Sequence, residues 1–78
     1  MNTLTIGKYY RYNTKIKTQV IKILDVKFLG QDDNSLNHQW YTYVDMKTKE
    51  KGKWMMSASF ISRTMTEINK EELVFELI

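Results

Sequence analysis

Cationic and aromatic side chains recur in two segments of the chain at spacings that suit contact with a nucleic acid. In Lys8-Tyr9-Tyr10-Arg11-Tyr12, cations alternate with rings that could stack on unpaired bases. If the segment is a strand, its alternate side chains face opposite sides, so at least one of these tyrosines must face the core. Part of this set of rings is therefore structural and not available for stacking. A second set of cations occurs at every other residue: Lys47, Lys49, Lys51 and Lys53. A hairpin would project these ammonium groups over one edge, where they would either contact phosphates or protect an edge strand from aggregation.

Large side chains are more numerous around residues 40–56 than a small sheet can bury. A sheet of this size cannot bury Tyr41, Tyr43, Trp54 and Met55 alongside Trp40, Val44 and Met56. Some should be exposed, and exposed Tyr, Trp and Met in the middle of a patch contribute much of the energy of protein interfaces. The same surplus could close a homodimer. The candidate partner-binding residues are therefore Tyr9, Arg11, Tyr41, Tyr43, Lys47, Lys49, Lys51, Lys53 and Trp54.

Groups that could support catalysis or bind a metal are scarce in the sequence. The chain has one His, no Cys, and carboxylates without the paired spacing that suits a general acid and base. His38 fits a solvent-facing strand start, and Asp32 and Asp33 supply too few oxygens for a hard cation. The glycines are too far apart to form a phosphate loop. These features predict a protein that is not an enzyme and that uses no cofactor or metal.

Length and composition predict a single small domain over residues 1–78. Hydrophobic residues make up 42% and charged residues 27% of the chain, as in ordinary folded proteins. The lack of Cys excludes disulfides and fits a reducing compartment, so we expect the cytoplasm, or the host cytoplasm if the protein is phage-encoded. We expect no membrane partner, because no apolar segment is long enough to span a bilayer and the N-terminal residues lack a signal-peptide pattern. The net charge of +3 slightly favours an acidic partner over a basic one.

Alternation of apolar and polar residues predicts five or six β-strands. We expect strands over roughly residues 8–13, 19–29, 38–46, 53–58 and 64–68. In the second strand the alternation changes phase near Ile23-Leu24, which a single flat strand cannot accommodate. A bulge or sharp bend is therefore predicted there, the device by which one strand serves two sides of a small barrel.

The third and fourth strands are predicted to form a hairpin. Alternation in the third strand places Trp40 on one face, which we expect to be buried, and Tyr41 and Tyr43 on the other. Lys47–Gly52 is the predicted hairpin loop, with a glycine at its end. The polar segment Gly30–Ser35, which precedes the third strand, is predicted to be a mobile loop.

The C-terminal third of the chain departs from simple alternation. Ser57 or Ser59 could cap one short helical turn that carries Phe60 and Ile61. The apolar ending 73–78 favours a further strand. The alternative is a terminal helix from Lys70, because Asn69 and Glu72 have the spacing of a capping box.

The order of these elements resembles an SH3-like small β-barrel. Gly7-Lys8-Tyr9-Tyr10-Arg11-Tyr12 is followed by a long bent strand, a charged hairpin, a helical turn at Phe60 and short closing strands. The resemblance implies a barrel that binds peptides or nucleic acid through aromatic residues on its loops. Neither the glycine arrangement of KOW domains nor the acidic peptide-binding loop of signalling SH3 domains is evident, so no subfamily function is implied. In being short, rich in Lys and Tyr, and without Cys or Pro, the chain is also similar to small accessory proteins of tailed bacteriophages.

The expected fold is thus a mainly β, five- to six-stranded SH3-like barrel with one short helical (3₁₀) turn near Ser59–Arg63. The expected function is binding and occlusion of a host protein, as an inhibitor of anti-defence type, through an aromatic and basic surface. The alternative is a small barrel that binds DNA or RNA through the Lys47–Lys53 hairpin and the Tyr9–Tyr12 aromatics.

Overall fold

Five antiparallel strands and two short helices form the described part of the chain, which is residues 3–28 and 39–78 of a computed structural model. The predicted loop Gly30–Ser35 and the residues His38, Asp32 and Asp33 lie outside these ranges. The elements are β1 (Tyr9–Asn13), β2 (Thr18–Phe28), β3 (Gln39–Asp45), β4 (Lys51–Met56), α1 (Ala58–Thr64), β5 (Met65–Ile68) and α2 (Lys70–Leu77). The prediction of a mainly β fold is confirmed.

The strands form one sheet in the order β4-β3-β2-β1-β5. Each of the first three strands pairs with the next along the chain, and β5 returns to pair with β1. Among the described residues the hydrogen-bonded sheet is open, with β4 and β5 at its two edges.

Strand β2 contains the irregularity that its sequence predicts. Ile23 pairs with Tyr43, but the next paired residue on β2 is Asp25, which lies opposite Thr42. The extra residue, Leu24, is the bulge that changes the parity of the inward-facing side chains. The predicted phase change near Ile23-Leu24 is therefore confirmed.

One side of the sheet carries the main core. Its buried members come from every strand, from α1 and from the segment before β1: Leu4, Tyr10, Ile21, Ile23, Tyr41, Met56, Ile61 and Met65. A smaller cluster of Val20, Ile68 and Leu73 lies on the opposite side, where α2 covers β1 and its neighbours. The sheet is therefore covered on both sides near β1, while its β2–β3–β4 part is filled from one side.

The β3–β4 hairpin closes through Asp45 and Lys49. The Asp45 carboxylate accepts hydrogen bonds from the backbone N–H groups of Lys47 at 2.7 Å and Thr48 at 3.0 Å. Burial alone would raise the pKa of Asp45, but these donors and the Gln19 side chain outweigh it, so the pKa lies below its ordinary value. Lys49 has a φ of 66°, so the left-handed turn position is taken by a lysine.

Gly52 has a different role from the predicted one. Strand β4 already begins at Lys51, so Gly52 is a strand residue opposite Tyr43. A Cβ at this position would come within 2.7 Å of the Tyr43 hydroxyl oxygen. The glycine therefore makes room for the tyrosine ring and does not form the turn.

Both helices begin at residues that cap them. The Ser57 hydroxyl accepts a hydrogen bond from the Phe60 N–H, so the predicted short helical turn is confirmed, as a seven-residue α-helix. The Asn69 side chain accepts from the Glu72 N–H at 2.8 Å and begins α2. The prediction of a C-terminal strand is wrong, because this cap satisfies a backbone donor that a strand start would leave to solvent.

Candidate binding face on strands β2, β3 and β4

Tyr41, a predicted partner-binding residue, is fully buried. Its hydroxyl accepts a hydrogen bond from the Leu4 N–H at 3.3 Å and donates one to the buried Gln39 side chain. Burial raises the pKa of the Tyr41 phenol above its ordinary value, although the Leu4 N–H opposes the shift. The prediction that Tyr41 faces a partner is wrong. Its hydroxyl both accepts and donates a hydrogen bond within the protein, so the side chain can be buried without an unpaired polar group.

Tyr43 and Trp54, two further predicted residues, belong to a half-buried aromatic cluster on the inner side of the sheet. The Trp54 ring meets Tyr12 edge-on at a centroid distance of 4.7 Å, and Phe60 at 5.3 Å. Tyr43 lies 6.3 Å from Trp54. Because Tyr12 is on β1 and Trp54 on β4, these rings bring two non-adjacent strands together across the concave side.

Tyr9 and Arg11 lie on the side of the sheet that α2 covers. Tyr9 packs against the smaller apolar cluster, with the Lys22 ammonium 5.7 Å from its ring centroid. The Arg11 guanidinium is 2.6 Å from the Glu76 carboxylate and 3.9 Å from Glu72. Both side chains therefore help to hold α2, which leaves little of either for a partner.

The four predicted lysines are exposed but do not form one row. Lys47 and Lys49 lie in the turn, whereas Lys51 and Lys53 lie on β4. On that strand the lysines alternate with the inward-facing Gly52 and Trp54, so both lysines point to the other side of the sheet.

The side of the sheet opposite the main core carries three rows of cross-strand neighbours on β2, β3 and β4. We call these residues the outer face. Its rows are Lys27–Trp40–Met55, Asp25–Thr42–Lys53 and Lys22–Val44–Lys51. The predicted orientation of β3 is thus wrong, because Trp40 faces outward and Tyr41 and Tyr43 face inward.

Trp40 and Met55 are the large apolar side chains of the outer face, with 38% and 45% of their surfaces exposed. They are direct cross-strand partners, and Lys27 is the partner of Trp40 on its other side. Trp40 also lines an open hollow of about 310 Å³ together with Asp25, Lys27, Thr42 and Lys53. The hollow thus combines an aromatic ring, two ammonium groups, a hydroxyl and one carboxylate.

The charge of the outer face is positive. Its four lysines surround a single carboxylate, Asp25. Such a face attracts an acidic partner, and the exposed indole adds a surface on which a flat ring can stack.

The predicted site residues do not include Trp40, Lys27 or Met55, although Met55 is counted among the surplus of large side chains and the sequence contains a usable signal for its direction. The exposed lysines 51 and 53 share a parity with Met55, so their outward direction predicts an outward Met55. The hairpin register then places Trp40 beside Met55.

Other kinds of site are not found in the part of the chain that is described. Residues 3–28 and 39–78 contain no group of three or more His, Cys, Asp or Glu arranged to hold a metal ion. Within the same ranges, neither helix has the length and apolar character needed to cross a bilayer. The chain matches no protein-family model, no curated protein and no solved structure.

Proposed function

We propose that the protein is a non-catalytic binding module whose outer face binds single-stranded nucleic acid, DNA or RNA. The observation that carries the proposal is the exposed Trp40 ring, which lines one hollow together with Lys27 and Lys53. A base stacked on an aromatic side chain contributes about 1–3 kcal/mol, and the lysines would contact the flanking phosphates. A base must leave a duplex stack to lie on the indole, so an unpaired strand fits this face.

We also propose that the fold is of the SH3-like barrel type. The strand order β4-β3-β2-β1-β5, with α1 inserted between β4 and β5, supports this proposal. The contact of Tyr12 on β1 with Trp54 on β4 also supports it, because these side chains join two strands that are not hydrogen-bonded neighbours. The sheet is thus curved, although its edge strands β4 and β5 are not hydrogen-bonded to each other. A curved sheet of this kind presents its opposite side as a convex surface for a partner.

The experiment is a titration of a fluorescently labelled single-stranded oligonucleotide, followed by anisotropy. Trp40→Ala should weaken binding by about 5- to 150-fold, since loss of one stacked base costs about 1–3 kcal/mol, whereas Trp40→Phe should retain most of the affinity. Unchanged affinity in Trp40→Ala contradicts the proposal.

A charge-matched pair of variants tests the location of the site. Lys27→Ala/Lys53→Ala removes two cations from the outer face. Lys15→Ala/Lys17→Ala removes two exposed cations from the β1–β2 turn, near the opposite end of β2 from Trp40. The first pair should weaken binding more and reduce its salt dependence more. Equal effects of the two pairs would mean that net charge, and not the outer face, attracts the strand.

The second candidate function is occlusion of an acidic host protein, as expected of a phage-encoded inhibitor of anti-defence type. The observation that favours it is the exposed Met55 beside Trp40, since an apolar centre with a charged rim is typical of protein interfaces. Stacking of a base on Trp40 does not require this thioether. Met55→Ala should therefore weaken capture of a host protein but leave oligonucleotide affinity nearly unchanged, which separates the two functions.

A further inference from the structure

Helix α2 is apolar on two sides, and the sheet covers one of them. Leu73 is buried against Val20 and Ile68, and Leu77 packs on the same cluster. The other side carries Val74, Phe75 and Ile78, which are 57%, 79% and 93% exposed. Single exposed apolar residues are common, but three that lie next to one another on a short helix form a patch, and such patches mark interaction surfaces.

The exposed residues of α2 form a continuous stripe. Positions 74, 75 and 78 have the spacing that places side chains on one helix face, and Glu71 lies on the same face one turn earlier. Glu71 and Glu72 are exposed in the first turn of the helix. The stripe is therefore apolar with an acidic end.

The outer face has the complementary character. Its apolar centre is Trp40 with Met55, and lysines surround this pair. The stripe of one molecule cannot reach its own outer face, because Leu73 holds α2 against Val20 of β2 and Ile68 of β5. A second copy can supply what each surface lacks, since rings meet apolar side chains and carboxylates meet ammonium groups.

We propose that two copies of the chain form a twofold dimer in which α2 of each copy docks on the outer face of the other. Both surfaces lie on the same side of the sheet, because Lys22 is the cross-strand partner of Tyr9 under α2 and of Val44 on the outer face. If the twofold axis of the dimer passes on that side of the sheet, both contacts form at once. The α2 stripe and the outer face of each copy are then both covered. Pairing of α2 with α2 would instead leave Trp40 and Met55 of both copies uncovered, and in a parallel arrangement it would also bring the Glu71 carboxylates of the two copies together. The dimer does not rest on the proposed nucleic-acid binding.

Sedimentation velocity over a concentration series tests the dimer. The wild-type protein should reach the mass of two chains, and no more, by about 1 mM, and added salt should weaken the association. Phe75→Ser removes the ring from the stripe, and Trp40→Ala removes the ring from the apolar centre of the outer face. Each variant alone should stay monomeric, with circular dichroism confirming that it is folded.

An equimolar mixture of the two variants gives the decisive result. The pair retains one intact contact, from α2 of Trp40→Ala to the outer face of Phe75→Ser, so the mixture should dimerise more weakly than wild type but measurably. A monomeric wild-type protein, growth beyond two chains, or a monomeric mixture would overturn the proposal. So would dimerisation of Trp40→Ala alone, which would indicate pairing between the helices.

Failure of this proposal is distinguishable from failure of the proposed function. Phe75→Ser should bind the labelled oligonucleotide at least as well as wild type, because its outer face is intact. If that variant binds nucleic acid and the wild-type protein is monomeric, the dimer is wrong and the nucleic-acid site stands.

Discussion

Lys49 occupies a backbone position that favours glycine. Its φ of 66° lies in the left-handed region, and its N–H donates a hydrogen bond of 2.8 Å to the Asp45 carbonyl. A residue with a Cβ pays about 1–2 kcal/mol for this conformation, whereas glycine adopts it freely.

Lys49→Gly should therefore stabilise the protein. Glycine also makes the unfolded chain more flexible, so we expect a net gain of up to about 1 kcal/mol in the free energy of unfolding, measured by urea denaturation. Lys51→Gly is the matched control, because it removes the same charge from a strand position and should destabilise. A loss of stability in both variants would contradict this account of the turn.

At the residue scale, the hydroxyl of Tyr41 explains why an aromatic residue predicted to be outside is inside. The phenol shares polar contacts with Gln39 and the Leu4 N–H, so burial leaves no polar atom unsatisfied. The Trp40 indole is larger and faces the side of the sheet on which β2 and β4 place lysines. Burial of Tyr41 and exposure of Trp40 together move the candidate site from the predicted aromatic residues to the outer face.

At the scale of elements, α2 depends on a cap at one end and an ion pair along its length. Asn69 satisfies the Glu72 N–H, and Arg11 bonds Glu76 from the sheet below. Leu73 and Leu77 then supply the apolar contact. A helix of eight residues has little intrinsic stability, so these tertiary contacts are what keep it folded.

Asn69→Ala should destabilise the protein by about 1 kcal/mol, because the first turn of α2 loses its side-chain acceptor. Asn69→Asp should retain most of the stability, since a carboxylate accepts the same hydrogen bond and suits the helix N-terminus. Urea denaturation measures both, and hydrogen exchange of the α2 amides shows whether the loss is local. Equal stability of Asn69→Ala and wild type would mean that the cap contributes nothing to this helix.

At the scale of the whole molecule, two surfaces of opposite character lie on one side of the sheet. The outer face is basic and carries Trp40, and the exposed stripe of α2 is apolar with an acidic end. If both proposals hold, nucleic acid and the second copy compete for the same indole. Dimerisation would then keep the outer face covered until a nucleic acid displaces the partner's helix.

A single-stranded oligonucleotide too short to hold two copies should therefore dissociate the dimer. The mass of the wild-type protein in sedimentation should fall from two chains to one as the oligonucleotide is added, because Trp40 cannot contact both partners. An oligonucleotide of the same length without bases, such as an abasic strand, is the control for screening by charge alone. A dimer that binds the oligonucleotide without dissociating would show that the two sites are separate.

The sequence alone determined the features that depend on neighbouring residues. Alternation predicted the five strands, and the phase change at Ile23-Leu24 predicted the bulge. The start of α1 was predicted at Ser57 or Ser59, and Ser57 is the cap. The sequence also identified the lysines 51 and 53, which are exposed as expected. These features are local because backbone geometry, caps and side-chain period act over a few residues.

The tertiary structure decided which face of each strand is covered and what the C-terminal segment becomes. Alternation defines two faces of a strand, but burial depends on which elements from distant parts of the chain pack across it. Leu4, Met56 and Ile61 belong to the same buried cluster as Tyr41 on one side of the sheet, which leaves Trp40 on the other side. In the same way, residues 70–77 are apolar enough for a strand or a helix, and the cluster of Val20 and Ile68 under Leu73 favours the helix.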